Sequence, residues 1–157
     1  MERLEIMEAL KHLPDAVAAE TAGLSESVQR YRPAENEWSI KEIAGHLRDA
    51  AEVWHKRVHM ICSLTDPVVA SWDRIVGDRG NSYLEADMGW LIAEMREWRL
   101  RTVKELADTV DWTRIGTQPG VGRRSLKQFA EFMIEHEAEH LASIRGLKTA
   151  QATRQPG

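Results

Sequence analysis

Four long stretches of the chain repeat apolar residues every three to four positions, the spacing of a helix that buries one face. No stretch alternates apolar and polar residues as a half-buried strand would. The first runs from about Arg3 to Leu24 and sets Leu4, Met7, Leu10, Leu13, Val17 and Thr21 along one stripe, with Pro14 expected as a kink or step. A short helical turn is expected at Ser25 to Arg30, between Gly23 and Pro33. The second helix opens on the clearest start signal in the chain. In Ser39-Ile40-Lys41-Glu42 the serine can accept from the third helical N–H while the glutamate reaches back. Trp38 precedes that cap and can staple onto Ile43, and Leu47, Trp54, Val58 and Ile61 continue the apolar face to about Cys62. The third helix spans about Glu85 to Asp108, and the fourth about Ser125 to Lys148.

Between the second and third helices, Ser63 to Tyr83 is rich in turn chemistry (Asp66-Pro67, Gly77, Gly80-Asn81). Loops of roughly 20 residues inside one domain are uncommon, and a crossover is a physical reason for one. The chain is therefore expected to be all-α, a four-helix bundle that is not simple up-down-up-down. The short 31–38 connection should make the first two helices antiparallel neighbours, and the long crossover should leave the second and third parallel. A second irregular stretch, Asp111 to Arg124, contains Gly116, Pro119, Gly120 and Gly122. Residues 1–150 form the expected bundle domain and 151–157 a frayed tail.

With 157 residues, 43% of them hydrophobic and 29% charged, the chain has the balance of one ordinary globular domain. A net charge of −4, with basic residues scattered among acids, gives no electrostatic case for nucleic acid. No apolar run approaches the roughly 18 residues of a membrane span. The amphipathic N-terminus is unlike an export signal, and the single cysteine, Cys62, argues for a reducing compartment. A cytoplasmic location is expected. Six tryptophans outnumber the two phenylalanines and two tyrosines. Core packing is the first reading for them, and pocket walls the second.

The histidines change the picture. On the fourth helix Leu126, Phe129, Met133, Leu141, Ile144 and Leu147 mark the buried stripe. His136, His140 and Glu137 fall inside it, the two histidines within about 60° of its centre. Imidazoles and a carboxylate on a core face are costly unless partnered. Histidines at i and i+4 lie one turn apart on one face, so a metal ion can satisfy both, as can a buried His–Glu hydrogen-bonded network. The second helix offers His46, His55 and His59. His46 and His55 flank opposite edges of its apolar face, and the wheel leaves the choice between them open. His12 falls off the stripe of the first helix.

The stretch Glu37-Trp38-Ser39-Ile40-Lys41-Glu42-Ile43-Ala44-Gly45-His46-Leu47-Arg48-Asp49, followed by Trp54 and Arg57, resembles the second-helix signature of the DinB-like family. His136-Glu137-Ala138-Glu139-His140-Leu141 resembles that family's closing HxxxHL motif, and Asp111 to Gly116 with Gly122 its loop before the last helix. The resemblance implies an up-down-down-up bundle and a divalent transition metal, commonly zinc or nickel, held by one histidine of the second helix and two of the fourth. By position those are His46, His136 and His140. It also implies a thiol-dependent S-transferase using a low-molecular-weight thiol such as bacillithiol, mycothiol or glutathione.

A three-ligand site with an open position is the arrangement of catalytic rather than structural zinc, presenting hydroxide or thiolate at neutral pH. Glu137 and Asp49 are candidate acceptors that orient ligand N–H groups. Arg57 is a candidate for the pocket entrance. Arg123 and Arg124, just before the fourth helix, are candidates for a cofactor carboxylate, with solvated loop charge the plainer reading. Cys62 reads as a small core residue. The alternatives are a non-catalytic metal-binding bundle linked to stress and a metal-free polar core. The expected partners are a small-molecule substrate and a second copy of the chain in a homodimer.

Overall fold

In a computed structural model that describes residues 1–77 and 80–154, the chain forms six helices, a short 3-10 turn and a two-stranded hairpin. The bundle is built from α1 (Arg3–Thr21), α3 (Ile40–Ser63), α5 (Met88–Asp108) and α6 (Leu126–Arg154). The short α2 (Glu26–Arg30) opens on Ser25, whose Oγ accepts from the Val28 N–H at 3.3 Å. At the start of α3 both arms of the cap form: Glu42 N–H donates to Ser39 Oγ, and Ser39 N–H to Glu42 Oε1, each at 3.1 Å.

Cross-bundle contacts fix the directions. Arg48 of α3 meets Glu94 of α5 at 2.7 Å and His59 meets Glu105 at 3.0 Å, so α3 and α5 run parallel. Glu20 of α1 accepts from Arg145 of α6 at 3.0 Å, and the N-terminal amine lies 3.6 Å from Glu131, so α1 and α6 run parallel. Asp15 of α1 accepts from Arg96 of α5 at 3.0 Å while Arg3 reaches the Thr109 carbonyl at 2.7 Å, which makes that pair antiparallel. Trp54 stacks edge-on to Phe129 while His46 meets His136, so α3 and α6 are antiparallel as well. The topology is up-down-down-up.

One expectation is corrected here. The first two long helices are not packed neighbours. Each of α1 and α3 packs on α5 and α6, which leaves α1 and α3 on a diagonal, meeting only through core side chains. The connection 31–38, together with α2, is long enough to cross that diagonal. The parallel α3–α5 pair then needs the 64–87 crossover, which holds α4 (Trp72–Val76) and the 3-10 turn (Gly80–Glu85). The last helix also runs past Lys148 to Arg154, where Gln151 donates to the Val28 carbonyl at 3.0 Å. Residues 155–157 of the expected tail lie outside the described residues.

Two local differences have plain causes. The stretch expected to be irregular pairs Ile115–Gln118 (β1) with Gly122–Ser125 (β2). Pro119 and Gly120 occupy the centre of the turn, closed by Val121 N–H on Gln118 O at 3.0 Å, and Gly120 supplies the positive φ of 80°. Strands of four residues are too short for alternation to signal them. On α1, Leu4 is 74% exposed and Ile6 takes its place in the core.

The core divides into two apolar clusters. One gathers Ile6, Leu10, Trp54, Val58, Leu106, Phe129 and Met133, and the other Leu13, Val17, Ile43, Leu47, Met95 and Ile144. Between them lies a polar layer. Pro14 lacks the N–H that would bond the Leu10 carbonyl four residues back. Arg99 of α5 fills that vacancy, donating to Leu10 O at 3.2 Å while its guanidinium grips the Glu137 carboxylate of α6 through both oxygens. α1 therefore runs unbroken through Pro14.

Removing Arg99 leaves a buried carboxylate and a bare carbonyl. Arg99→Met is expected to lower stability by about 3–5 kcal/mol. Pro14→Ala restores a donor for Leu10 O, so its effect should be more stabilising by about 1 kcal/mol in the Arg99→Met background than in the wild type. A double-mutant cycle in urea checks this, and equal effects in both backgrounds would contradict the assignment.

Candidate metal centre

Three imidazoles converge on one side of the polar layer. His46 Nε2 lies 3.4 Å from His136 Nε2, and His140 Nε2 lies 3.1 Å from the same atom. The donor atoms of all three residues lie within 4.8 Å of one another. Helix geometry accounts for the convergence: residues 136 and 140 stack one turn apart on α6, and His46 projects from the edge of α3 that faces α6. The opposite edge of α3 faces α5. There His55 approaches Thr102 Oγ1 at 3.4 Å and His59 meets Glu105. Of the two histidines the wheel left open, the structure brings His46 to the pair on α6 and His55 to α5. His12 is exposed on α1.

Burial pushes His46 down to about 3, reinforced by the proximity of His140 and then His136. Burial also lowers His136 and His140. All three rings are therefore neutral at pH 7, the form that ligates metals. Both contacts share His136 Nε2, which offers either one proton or one lone pair and so can serve only one of them in line. Three neutral imidazole donors gathered within 4.8 Å of one another match a divalent transition metal. Nitrogens bound at about 2.0–2.1 Å in a tetrahedral arrangement sit about 3.3 Å apart, close to the 3.4 and 3.1 Å contacts. The donor set fits a metal ion.

Aromatic rings wall this cluster. Trp72 of α4 stacks on His46 with centroids 4.9 Å apart and 20° between planes, and Trp38 leans on His46 from the other side at 5.0 Å. Trp38 also faces His140 at 6.4 Å, and Phe132 stacks on His136 at 6.2 Å. The sequence reading gave no individual role to Trp72 or Phe132 and placed Trp38 only as a staple. The excess of tryptophan was the available signal. Only Trp54 and Trp112 are core residues among the six.

The expected helpers are placed differently. Glu137 lies one residue from His136 but points about 100° away around α6. It is 4% exposed and paired with Arg99, so it belongs to the bundle lock and not to a ligand N–H. Burial raises its carboxyl against the pull of that guanidinium. Asp49 accepts from Arg48 at 2.8 Å and from the Tyr83 hydroxyl. His136 Nδ1 is buried without a hydrogen-bond partner among the described residues, so stacking on Phe132 orients that ring. Arg57 is 5% exposed. Its Nε holds the Ala70 carbonyl at 3.1 Å, and its guanidinium covers Trp54. It thus anchors the crossover two residues before Trp72. Arg123 is exposed and pairs with Asp66 at 3.0 Å, whereas Arg124 lies over Phe132 at 4.5 Å. Cys62 accepts from Thr109 Oγ1, and burial raises its thiol.

The depressed imidazoles set a pH response for the metal-free chain. Protons bind the unfolded histidines near pH 6.5 but the folded ones only well below it. Stability from this cluster is full above about pH 6.5 and drains as pH falls toward the lower folded values. The urea midpoint of chelator-treated protein should fall between pH 7 and 5, and His46→Gln should flatten the slope. An unchanged slope would contradict the burial of His46.

Comparison with known proteins agrees with this architecture. A family model described as the DinB superfamily matches residues 9–144. The uncharacterized protein YuaE of Bacillus subtilis (strain 168) is 24% identical over 143 residues, covering 82% of this chain and 88% of its own. The solved structure of YfiT from Bacillus subtilis superposes with a TM-score of 0.87 at 16% identity, over 96% of this chain and 88% of that one. That protein is described as a probable metal-dependent hydrolase with an unusual four-helix bundle topology. With the family model spanning most of its length, this chain belongs to the DinB superfamily.

Proposed function

We propose that His46, His136 and His140 hold one divalent transition metal, zinc or nickel, and that the protein is a metal-dependent enzyme acting on a small molecule. The convergence of the three Nε2 atoms, at 3.1 and 3.4 Å, carries this reading. A metal held there would supply a Lewis acid that lowers the pKa of a bound water or thiol.

The protein's own contribution is to keep three uncharged donors in place and partly dry. Burial holds the imidazoles neutral, so protons compete weakly for them even below pH 6.5. Trp38 and Trp72 flank His46 and restrict water on that side. Arg57, through the Ala70 carbonyl, positions the segment that carries Trp72. Because the three donors are neutral, they would not offset a metal's charge, which supports a site that activates a nucleophile over one that only stores metal.

The nucleophile we propose is a low-molecular-weight thiol, making the reaction an S-transfer to an electrophilic substrate. Hydrolysis is the second reading, favoured by the description of YfiT, whose bundle this chain shares. The two are separable in one experiment. Zinc- or nickel-loaded protein is offered 1-chloro-2,4-dinitrobenzene with glutathione or cysteine, and in parallel p-nitrophenyl acetate without thiol. S-transfer predicts a metal-dependent thioether-forming rate that falls at least 100-fold in His136→Ala. A metal-dependent ester cleavage with no thiol reaction would replace it with the hydrolase reading. No metal-dependent rate in either arm would contradict both.

A further inference from the structure

An open cleft of about 470 Å³ adjoins the histidine cluster, with Glu37, Trp38, Ile43, His140, Ser143 and Gly146 in its lining. One of its walls is a face of α6 that begins at His140. The other is the segment leading into α3, capped by the Trp38 ring that leans on both His46 and His140. The volume lies in the ordinary range for small-molecule sites, and the walls are largely apolar.

Gly146 is the informative residue in this wall. It sits inside a helix, where glycine is disfavoured relative to alanine. A Cβ built there meets nothing within 4 Å, so the fold does not demand its absence. A longer side chain would lean toward the helix N-terminus, over Ser143 and in the direction of His140. Glycine at 146 keeps the cleft open. At its rim the exposed Glu37 carboxylate forms no ion pair among the described residues, so an anionic substituent on that side meets a weak, salt-screened repulsion.

From these features we infer that the cleft seats the body of the substrate, an aromatic group without negative charge, with its reactive end toward His140. The inference rests on reading the histidine cluster as the reactive centre. The substrate is then a flat apolar body that stacks on Trp38 and bears no anionic substituent on the Glu37 side.

The test uses two fluorescent probes that share one ring framework, neutral N-phenyl-1-naphthylamine and its sulfonated analogue 8-anilinonaphthalene-1-sulfonate. The neutral probe is expected to bind the wild type, and Gly146→Leu to weaken that binding at least tenfold. Gly146→Ala should leave it within about twofold while raising Tm by roughly 2–4 °C. The sulfonated probe should bind at least tenfold more weakly than the neutral one, a penalty that Glu37→Gln reduces. Wild-type affinity in Gly146→Leu, no binding of the neutral probe, or equal binding of both probes overturns the inference. Zinc titration of the same variants keeps the two readings apart. Gly146→Leu should take up zinc as the wild type does. A wild type that binds the neutral probe in the cleft but no zinc would sink the metal reading and leave the cleft as an isolated binding site.

Discussion

The rotation of α6 about its own axis decides whether this bundle has a site, and the Arg99–Glu137 pair sets that rotation. Glu137 is drawn toward α5 by a guanidinium that also caps the Leu10 carbonyl of α1, left bare by Pro14. With residue 137 turned that way, residues 136 and 140 face α3. Three helices are thus tied through one cation at the level where the fourth supplies His46. A buried ion pair adds little net stability against an apolar isostere, but it discriminates sharply against arrangements that leave one partner alone. Here the disfavoured arrangements include every rotation of α6 that would scatter the histidines.

The same layer separates two apolar clusters that could otherwise slide or merge. Its polar members fall into two groups of different character. Arg99 pairs with Glu137 and the Leu10 carbonyl, and Asp49 accepts from Arg48 and Tyr83. The three imidazoles are less well matched, because His136 Nε2 has either one proton or one lone pair and can serve only one of its two contacts in line. Three neutral imidazoles from two helices, with donor atoms within 4.8 Å of one another, form a set that fits a cation. The depressed basicity of His46 has the same origin, since burial opposes its protonation before any neighbour does.

Much of this was legible in the sequence, and what was hidden has physical reasons. Four helices, the cap at Ser39, the crossover and the pairing of His136 with His140 follow from local periodicity and spacing, which are properties of one element at a time. The choice of His46 over His55 is a property of two elements, and helical position alone left it open until the family resemblance was added. Glu137 was read as a helper of the metal ligands because it is adjacent in sequence and buried, but its partner lies on α5, 38 residues away. The diagonal placement of α1 and α3 escaped notice because short connections usually join packed neighbours, and α2 lengthens this one. Trp72 sits on a five-residue helix inside the crossover, too short to carry a periodic signal.

The central claim, that three histidines from two helices form one metal centre, is tested most directly by zinc titration of the chelator-treated protein with His46→Ala and His136→Ala in parallel. One zinc per wild-type chain, with binding lost in both variants while their helical circular dichroism is retained, is the expected result. Zinc uptake that survives either substitution, or none in a folded wild type at neutral pH, would contradict the account and leave the cluster as a polar core without an ion.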